Sequence, residues 1–548
     1  MFGCFISILA VVPSLVWILL DTCAWGGDQS QYGRATLELF HALRHSPLEW
    51  FSQMLNVFPS KPNGLIWFGQ FFVPLRHLVG SIDAALLFCI VVMQVITLIL
   101  IYRSICELTQ RTSLAIPAIG CLVVASAPLF ISFGTYYMVE SMQTLAVAWF
   151  VLIMSLAPRW SRTLILGQLS GAAAFALLSK EIQPLFCLWP GLVSLSYVFR
   201  TREIQASENT PRSTIIFTFV LGIPLIVATL VWYYRNLALV ARHLYAGSYG
   251  PGVRIFWGKE DTYLNTLVYW LSTTKNVFFL PGVWEWGLLL ITGGVIYHFA
   301  RSHRPMKHFT VCAAAAALQI VTVLLVFSLS LTRQPRFLLP VIPYFAVLVT
   351  WSVAQLKHWT IAGLTLAAFT VQLALLQGQA LNLIPSLLPW LRPFDRDAKN
   401  GRVINSLVGR TCIKTASSPY LNILAIDLTL QGDWLGPEPA NYVVAKNSLL
   451  QNRRPPCYYG YLGVDFFGST VADAWNSMLS NRARYFITVD PKIYMVPAFV
   501  LNKTLNQDNF PVILEKVQTS GLFEAEPPLR EDPGILIFRR GNVASFDR

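Results

Sequence analysis

The stretch Ile82–Ile101, IDAALLFCIVVMQVITLILI, decides the class of fold. Its one charged residue is Asp83, next to the beginning of the stretch, and nearly every other residue is apolar. A helix of about 20 such residues is about 30 Å long, which matches the thickness of the hydrocarbon core of a bilayer. The stretch therefore predicts a transmembrane helix.

Similar apolar runs recur through the first two thirds of the chain. They lie at residues 4–20, 82–101, 113–131, 141–157, 164–178, 182–199, 214–232, 284–300, 310–329, 337–354 and 360–378. These runs predict about eleven transmembrane helices, some of which span a bilayer only with little tilt or with flanking residues added. The first run has no basic residue before it and no small-residue cleavage site after it, so we expect a retained helix.

The composition of the whole chain agrees with a membrane protein. Of its 548 residues, 55% are hydrophobic and 13% are charged, against about 25% charged residues in soluble domains. The mean hydropathy is +0.53. These values exclude a water-soluble enzyme, a disordered chain and a collagen-like repeat. The net charge of +13 is typical of nucleic-acid-binding proteins and of membrane proteins alike, so its distribution has to decide.

The basic residues are concentrated in alternate loops between the apolar runs. One set of loops holds 11 Lys and Arg in about 46 residues, and the other set holds 12 in about 131. Because the denser set belongs on the cytoplasmic side, we expect a cytoplasmic N-terminus in the plasma (inner) membrane and an extracytoplasmic C-terminal segment. A basic excess spread over loops and helix ends also argues against a nucleic-acid partner.

From about residue 395 the composition becomes that of a mixed globular domain, with a net charge near +2. Runs rich in β-branched and aromatic residues predict strands at Thr411–Thr415, Asn441–Val444, Arg484–Val489 and Gly534–Phe538, and Val471–Leu479 predicts a helix. We expect a polytopic helical domain over residues 1–380, with extracytoplasmic loops 21–81 and 233–283. A small extracytoplasmic α/β domain is expected over residues 395–548.

Nine cysteines contain no metal-type pair. Most lie in apolar runs, where a thiol acts as a small hydrophobic group. Cys412 and Cys457 lie in the polar C-terminal third, and the sequence leaves two interpretations of them open. They form a disulfide if this region is outside the cytoplasm, or they are two unpaired thiols.

With this topology, acids and bases from distant parts of the sequence reach the same membrane face. Ionisable groups at helix ends near a membrane are costly unless they are paired, solvated or functional, which predicts a shared cavity. Lys and Arg are suited to holding a lipid phosphate, and a carboxylate is suited to taking the proton of an attacking hydroxyl. The candidates are Asp28, Tyr32, Lys61, Glu140, Lys180, Arg242, His243, Arg333 and Arg336.

The order of these short motifs resembles the C-type glycosyltransferases (GT-C). The branches with the strongest resemblance contain the protein O-mannosyltransferases and the aminoarabinose transferase of lipid A. The matching segments are Asp-Gln-Ser-Gln-Tyr at 28–32, Lys-Pro at 61–62, an acid at 140, Leu-Ser-Lys at 178–180 and Arg-Phe-Leu-Leu-Pro at 336–340.

The resemblance implies transfer of a sugar from a polyprenyl-phosphate donor to an acceptor hydroxyl at the outer membrane face, with inversion. By that resemblance Asp28 is the general base, Tyr32 is the tyrosine of the same motif, and Glu140 is a second acid. Lys61 and Arg336 match phosphate-binding or structural positions. Lys180, Arg333 and Arg242 are further candidates for substrate contacts, and the acceptor is a protein, a lipid or a glycan.

The first-loop motif departs from the family pattern. Gln29 replaces its second acid and Gln31 its arginine, while Asn63 replaces the second proline after Lys61. Ser60 replaces a glutamate that in the family binds metal. The resemblance raises a divalent cation as a cofactor, but the loss of this glutamate argues against it, so metal dependence stays open with His243 as a candidate ligand. No nucleotide cofactor is expected.

Other interpretations of these residues remain open at this stage. Asp28 could cap a helix, Glu140 could pair with an arginine for structure alone, and Lys61 and Lys180 could extend to the membrane interface. At the level of the whole protein, the alternatives are a transporter or flippase of lipid-linked sugars and a non-catalytic assembly protein with the same fold. A transporter predicts polar residues near helix midpoints and two related halves, and the sequence shows neither.

Overall fold

The computed structural model describes residues 2–110, 113–200, 212–249, 263–300, 308–330, 332–412, 420–424, 434–460, 471–480, 482–490, 493 and 510–541. Within these residues the chain forms two compact units. Unit 1 consists of the described residues within 1–19, 54–250 and 257–393, and unit 2 of those within 20–53 and from 394 onward.

The helices and strands are named in chain order. The helices are α1 (Phe2–Leu20), α2 (Gly27–His45), α3 (Pro47–Asn56), α4 (Gly64–Gly69), α5 (Arg76–Val79), α6 (Ile82–Leu108), α7 (Ala115–Ala125), α8 (Pro128–Phe133), α9 (Val139–Leu156), α10 (Arg162–Ser179), α11 (Gln183–Arg200), α12 (Arg212–Tyr249), α13 (Tyr263–Phe278), α14 (Val283–Ala300), α15 (His308–Leu329), α16 (Ile342–Leu356), α17 (Trp359–Ala380), α18 (Lys399–Thr411), α19 (Pro437–Leu450), α20 (Val471–Ser480) and α21 (Phe510–Thr519). The strands are β1 (Tyr420–Leu424), β2 (Cys457–Gly460), β3 (Tyr485–Val489), β4 (Phe523–Ala525) and β5 (Ile535–Arg540). A 3-10 helix, Pro335–Val341, leads directly into α16.

Unit 1 has the predicted polytopic helical architecture. In the described part of the chain, nine helices are long and apolar enough to cross a membrane, and α7 and α11 are shorter apolar helices. The stretch that begins at Ile82 forms α6, whose most apolar 18-residue window has a mean hydropathy of 2.9, and the hydroxyl of Ser81 caps this helix. Hydropathy and length therefore predicted the fold class correctly.

The regions 21–81 and 233–283, which were predicted as extracytoplasmic loops, contain several helices, and their side of the membrane stays a prediction. The region 21–81 contains α2 to α5, and α12 continues into the region 233–283 as a helix of 38 residues that ends at Tyr249. Helix α13 occupies a further part of the same region. Polar residues interrupt the apolar pattern after residue 232, but they are compatible with a helix. Hydropathy alone therefore placed the end of α12 too early.

The helices of unit 1 differ in how much of their surface the protein itself covers. The spanning window of α9 is 89% buried inside the unit, as is the window that contains α16. The windows of α14 and α17 are only 17% and 22% buried. Exposed apolar surface of this extent is unfavourable in water and favourable in lipid, so α9 and α16 form the core while α14 and α17 face the bilayer.

Unit 2 is built on a five-stranded sheet with the order β2-β1-β3-β5-β4. Strand β1 pairs in parallel with both β2 and β3, whereas β5 pairs antiparallel with β3 and β4. One face packs on a core that includes Leu407 of α18 and Val444 of α19, and the other on a core that includes Met478 of α20 and Val517 of α21. The small C-terminal α/β domain is confirmed.

The strand predictions for unit 2 had mixed outcomes. Arg484–Val489 and Gly534–Phe538 correspond to β3 and β5, but Asn441–Val444 lies inside α19. Helix α19 has Pro437 in its first turn, and its two valines are buried against the sheet. Tertiary packing therefore outweighs the β-propensity of Val443 and Val444. Residues 413–415 of the remaining predicted strand lie outside the described residues.

Cys412 and Cys457 form a disulfide with a Cα–Cα distance of 5.6 Å. The bond joins the end of α18 to the first residue of β2. Of the two interpretations that the sequence left open, the structure shows the disulfide. A structural disulfide is typical of a domain that folds in an oxidising compartment.

Candidate functional site

Three helix ends in unit 1 carry one each of three charged residues that the sequence singled out. Glu140 lies in the first turn of α9, after the extended residue Met138. Lys180 is the extended residue that follows the last turn of α10. Arg336 lies in the first turn of the 3-10 helix before α16, where Pro335 starts the helix because its fixed φ suits the first helical position.

The packing of these helix ends brings the three side chains together. Oε1 of Glu140 lies 3.5 Å from Nζ of Lys180 and also 3.5 Å from Nε of Arg336. The Arg336 Nε–H donates a 2.7 Å hydrogen bond to Oε1 of Gln334, which fixes the direction of the guanidinium. We refer to Glu140, Lys180 and Arg336 as the charge cluster.

The charge cluster contains one negative and two positive side chains. The side chain of Glu140 is 1% exposed, whereas those of Lys180 and Arg336 are 16% and 24% exposed. Neither carboxylate oxygen of Glu140 accepts a hydrogen bond from the described residues. The buried carboxylate therefore reduces the repulsion between the two cations, and their more accessible parts retain an excess of one positive charge that suits an anion.

An aromatic ring completes the surroundings of both cations. Nζ of Lys180 lies 4.0 Å from the centroid of the Phe337 ring, and Cζ of Arg336 lies 5.6 Å from it. Cation–π attraction of this kind stabilises a partly desolvated cation by about 1–2 kcal/mol. Sequence analysis did not identify Phe337 as a site residue, although its position directly after Arg336 was visible.

The segment that carries Lys61 is anchored beside the charge cluster. A Cβ on Gly64 would lie 2.5 Å from the carbonyl oxygen of Leu178, so only glycine permits this approach of α4 to the end of α10. The hydroxyl of Tyr137 donates a 3.1 Å hydrogen bond to the carbonyl of Leu65. Leu178 and Tyr137 are close in sequence to Lys180 and Glu140. The Lys61 ammonium itself lies 5.4 Å from the Phe58 ring centroid.

Two buried glutamines connect α9 to α11, close to the charge cluster, and sequence analysis missed both. Nε2 of Gln143 donates a 2.8 Å hydrogen bond to Oε1 of Gln183, and Nε2 of Gln183 donates a 3.0 Å bond to the backbone carbonyl of Gln143. Gln143 lies three residues after Glu140, and Gln183 lies three residues after Lys180. For Glu140 and Gln143 the available signal was their spacing on α9, because residues three apart share a helix face.

Arg333 and Arg242 lie in other surroundings. The Arg333 guanidinium donates a 2.9 Å hydrogen bond to Oγ1 of Thr266 and stands 5.4 Å from the Tyr269 ring, so it contacts α13. Arg242 is an exposed residue of α12, and no acidic side chain of the described residues pairs with it. Their roles as substrate contacts stay predictions.

The described residues do not supply a metal site at His243. His243 is a half-buried residue of α12. In the part of the chain that the structure describes, no group of three His, Cys, Asp or Glu side chains is arranged to hold a metal ion. The role of His243 as a metal ligand stays a prediction, and no chemical step is assigned to a metal.

Asp28 and Tyr32 belong to unit 2, on helix α2. Asp28 lies in the first turn of this helix and is half-buried, while Tyr32 is buried. The N-cap residue is Gly26, so Asp28 is not the cap that one interpretation expected. A carboxylate in the first turn still interacts favourably with the positive end of the helix dipole.

Helix α2 is held rigidly within unit 2. The rings of Trp25 and Tyr442 stack with centroids 4.6 Å apart and planes 6° apart. A Cβ on Gly33 would lie 2.7 Å from the Tyr442 ring, so glycine is needed for this close packing. The amide of Ala24 also donates a 3.2 Å hydrogen bond to Oδ1 of Asn400. These contacts fix the segment from which Asp28 projects.

Comparison with solved structures gives a likeness over nearly the whole chain. ArnT from Cupriavidus metallidurans in the apo state matches with a TM-score of 0.53 and 14% identity, covering 98% of each chain. The same protein bound to undecaprenyl phosphate also matches with a TM-score of 0.53, covering 99% of this chain and 98% of ArnT. The Archaeoglobus fulgidus oligosaccharyltransferase in complex with Zn and sulfate gives a TM-score of 0.47 at 13% identity, covering 89% of this chain and 67% of that one.

No protein-family model and no curated protein sequence matches the chain. The recognisable relationship therefore lies in the three-dimensional structure, because two chains at 14% identity keep the order and packing of their elements long after most side chains have changed. The chain shares its fold with ArnT from Cupriavidus metallidurans, and the resemblance predicted from the sequence is confirmed at the level of the fold.

Proposed function

We propose that the chain is an integral membrane glycosyltransferase that transfers a sugar from a polyprenyl-phosphate donor to an acceptor hydroxyl. The observation that carries this proposal is the charge cluster, in which Glu140 holds Lys180 and Arg336 at 3.5 Å each. The cluster lies in a fold shared with ArnT, a protein that has been crystallised bound to undecaprenyl phosphate. An excess positive charge at helix ends is suited to that type of ligand.

In this proposal the phosphate of the donor binds to Lys180 and Arg336. Arg336 offers planar, two-pronged donor geometry and Lys180 a compact point charge. As the bond between the anomeric carbon and the phosphate oxygen breaks, negative charge grows on the departing polyprenyl phosphate. Cations that are already positioned stabilise that charge without reorganising, and this is their contribution to the rate. Lys61, on the segment anchored beside them, adds a third cation.

Asp28 is the proposed general base. The oxygen of the acceptor hydroxyl forms a bond to the anomeric carbon on the face opposite the departing phosphate, which inverts the configuration. The hydroxyl proton passes to the Asp28 carboxylate, so atoms and charges balance. Tyr32, one turn further along α2, is proposed to help position the acceptor.

The proposed reaction takes place at the outer face of the plasma (inner) membrane. The Cys412–Cys457 disulfide supports an extracytoplasmic unit 2, because such bonds persist in oxidising compartments. The density of basic residues in alternate loops supports a cytoplasmic N-terminus. The donor reaches the site from within the bilayer, and the acceptor is a protein, a lipid or a glycan.

The test is a transfer assay with the purified full-length chain. Labelled polyprenyl-phosphate sugars are supplied with candidate acceptors, and wild type is compared with Asp28→Asn. We expect the variant to lose about 100-fold or more in kcat while donor binding is kept, because general base catalysis contributes about 10²–10⁴-fold. Asp397→Asn is the matched control in the same unit, since the side chain of Asp397 is 88% exposed.

Two outcomes contradict parts of the proposal. Full transfer by Asp28→Asn rejects Asp28 as the base. Wild type that binds polyprenyl phosphate yet consumes no donor with any acceptor supports the non-catalytic assembly protein instead. Accumulation of intact donor on the opposite side of a vesicle supports the transporter, because transport moves the donor without breaking its sugar–phosphate bond.

A further inference from the structure

A large cavity lies in unit 1 at the end of α9 opposite Glu140. Its volume is about 1440 Å³, and its lining includes Ser155 near the C-terminal end of α9. At a rise of 1.5 Å per residue, Ser155 is about 22 Å along the helix from Glu140. The cavity is therefore separate from the charge cluster, and the proposed transfer reaction has no use for it.

Much of the cavity lining is apolar, and one part of it consists of small side chains. Helix α15 contributes Ala313, Ala314 and Ala317, and α14 contributes Ile291 and Val295. Alanines along one helix leave the space that larger side chains would fill. A space with walls of this kind favours a hydrocarbon chain, since each CH₂ group that leaves water for an apolar surrounding adds to the binding free energy.

The cavity lining contains both an acidic side chain and basic side chains. Glu107 forms one ion pair with Arg103, at 3.0 Å, and another with Arg159. Its negative charge is therefore already compensated. Lys357 also lines the cavity, and no acidic side chain in the described ranges pairs with it. The lining thus holds one acidic residue, Glu107, and two basic residues, Arg159 and Lys357, so it carries an excess of positive charge.

The mouth of the cavity lies at the level expected for lipid headgroups. Trp359, the first residue of α17, lines the cavity and is 82% exposed, and Phe299 near the end of α14 is 71% exposed. These two helices face the bilayer over most of their surface. Exposed tryptophan at a helix end is typical of the interface between headgroups and acyl chains. Lys357, two residues before Trp359, is then at headgroup level too.

We propose that this cavity binds an anionic glycerophospholipid. The lipid phosphate contacts Lys357 and the exposed side of Arg159, and an acyl chain occupies the space beside the α15 alanines. The positive excess favours an anionic over a zwitterionic headgroup, and the apolar walls favour a lipid over a free phosphate ion. The proposal is independent of the glycosyltransferase assignment, because none of its residues belongs to the charge cluster.

The experiment measures lipid retention by the full-length protein in detergent, using native mass spectrometry. Phosphatidylglycerol is titrated in competition with phosphatidylcholine of the same acyl chains, and a separate arm adds inorganic phosphate. We expect wild type to prefer phosphatidylglycerol by about tenfold or more, because the positive excess attracts its net negative charge, whereas the choline cation of phosphatidylcholine cancels the charge of the phosphate. Inorganic phosphate at millimolar concentration should not displace the lipid.

Two variants locate the site. Lys357→Asn removes the charge and keeps a residue that tolerates the left-handed backbone at this position, where φ is 52°. We expect it to lower the preference for phosphatidylglycerol about tenfold. Ala314→Trp fills the cavity from an exposed position on α15, and it should abolish specific retention. Leu318→Trp is the matched control, because Leu318 is exposed on the same helix outside the lining.

Each possible result either overturns or supports the proposed lipid site. Equal retention of the two lipids by wild type overturns the proposal, and so does specific retention that survives Ala314→Trp. Displacement by inorganic phosphate also overturns it, because the ligand is then a soluble anion. Loss of specific retention in Ala314→Trp but not in Leu318→Trp supports the proposed site, and thermal unfolding of both variants confirms that they are folded.

Discussion

The Glu140 carboxylate lies 3.5 Å from the Lys180 ammonium, although the two residues belong to different helices. The arrangement places an almost fully buried acid against a partly exposed base. Arg336 approaches the same carboxylate oxygen, so one acid serves two cations. Substitution of a cation in this cluster therefore tests anion binding, and substitution of the shared acid tests stability.

Removal of the Lys180 charge is expected to weaken donor binding. A hydrogen bond to a charged group contributes about 1.5–3 kcal/mol, so Lys180→Met should raise KM for the polyprenyl-phosphate donor by about 10- to 100-fold. Donor titration in the transfer assay measures this change. Lys275→Met is the matched control, because Lys275 pairs with Glu285 at 3.2 Å where both side chains are about half exposed. An unchanged KM in Lys180→Met would remove Lys180 from the donor site.

Neutralisation of the shared acid is expected to affect stability as well as activity. In Glu140→Gln the two cations lose their common counter-charge and repel each other in a partly desolvated site. We expect a loss of about 1–3 kcal/mol in the free energy of unfolding, measured by denaturant titration in detergent. Glu285→Gln, which alters a half-exposed acid, should change the free energy of unfolding much less, because water screens its ion pair. A Glu140→Gln protein as stable as wild type contradicts the role given to the carboxylate.

The Gln143–Gln183 pair is expected to behave as a coupled unit. Gln143→Leu leaves the buried Oε1 of Gln183 without its donor, which should cost about 1–3 kcal/mol. The double variant Gln143→Leu/Gln183→Leu removes both amides, so its cost should be clearly smaller than the sum of the two single costs. Additive costs in this double-mutant cycle would show that the amides stabilise their helices independently.

The disulfide is expected to stabilise unit 2 through the unfolded state. It closes a loop with a sequence separation of 45, for which the loss of chain entropy predicts about 2–4 kcal/mol. Thermal unfolding of wild type should therefore shift to lower temperature in a reducing agent. The variant Cys412→Ala/Cys457→Ala should start at that lower value and not respond to the reducing agent. A further shift of the double variant under reduction would point to another disulfide.

Glu38 of α2 makes unit 2 sensitive to pH. Burial raises the pKa of this carboxyl group, although Arg34 at 3.7 Å acts in the opposite direction and Glu438 reinforces the rise. Because the folded-state pKa exceeds the unfolded value of about 4.5, ionisation of Glu38 destabilises the fold. The penalty is absent below the unfolded pKa and is complete above the folded one. We expect Glu38→Gln to stabilise the protein at pH 7 relative to wild type, with little effect at pH 4.

The reverse result for Glu38→Gln has a definite meaning. If this variant were less stable than wild type at pH 7, the ion pair with Arg34 would outweigh the burial of Glu38. The side chain of Glu38 is 33% exposed, so water screens both contributions and the effect should be modest. Unfolding monitored at both pH values on the same preparation distinguishes these cases.

The fold was largely predictable because its signals are local. The apolar stretch from Ile82 predicts a membrane-spanning helix by length and hydropathy alone, and α6 occupies that place. Where packing competes with local preference, prediction failed. Val443 and Val444 favour a strand by their β-branched side chains, yet they lie in α19 because its buried face covers the sheet.

The candidate site was predictable in membership but not in arrangement. Glu140, Lys180 and Arg336 stood out because charges at apolar helix ends are costly without a partner or a use. Nothing local in the sequence showed that both cations share Oε1 of Glu140, or that Gln143 and Gln183 hold the helix ends together. These contacts join residues on different helices, so they arise only when the helices pack.

The sequence by itself determined that this protein is a polytopic membrane protein with a small C-terminal domain, because apolar length, charge density and loop asymmetry are properties of single segments. The tertiary structure decided which charged side chains lie in contact, which cysteines form a disulfide and that α2 belongs to unit 2. The physical reason is that electrostatic and hydrogen-bond energies depend steeply on distance. Separations of 3–4 Å between distant residues are set by the packing of whole helices rather than by any one segment.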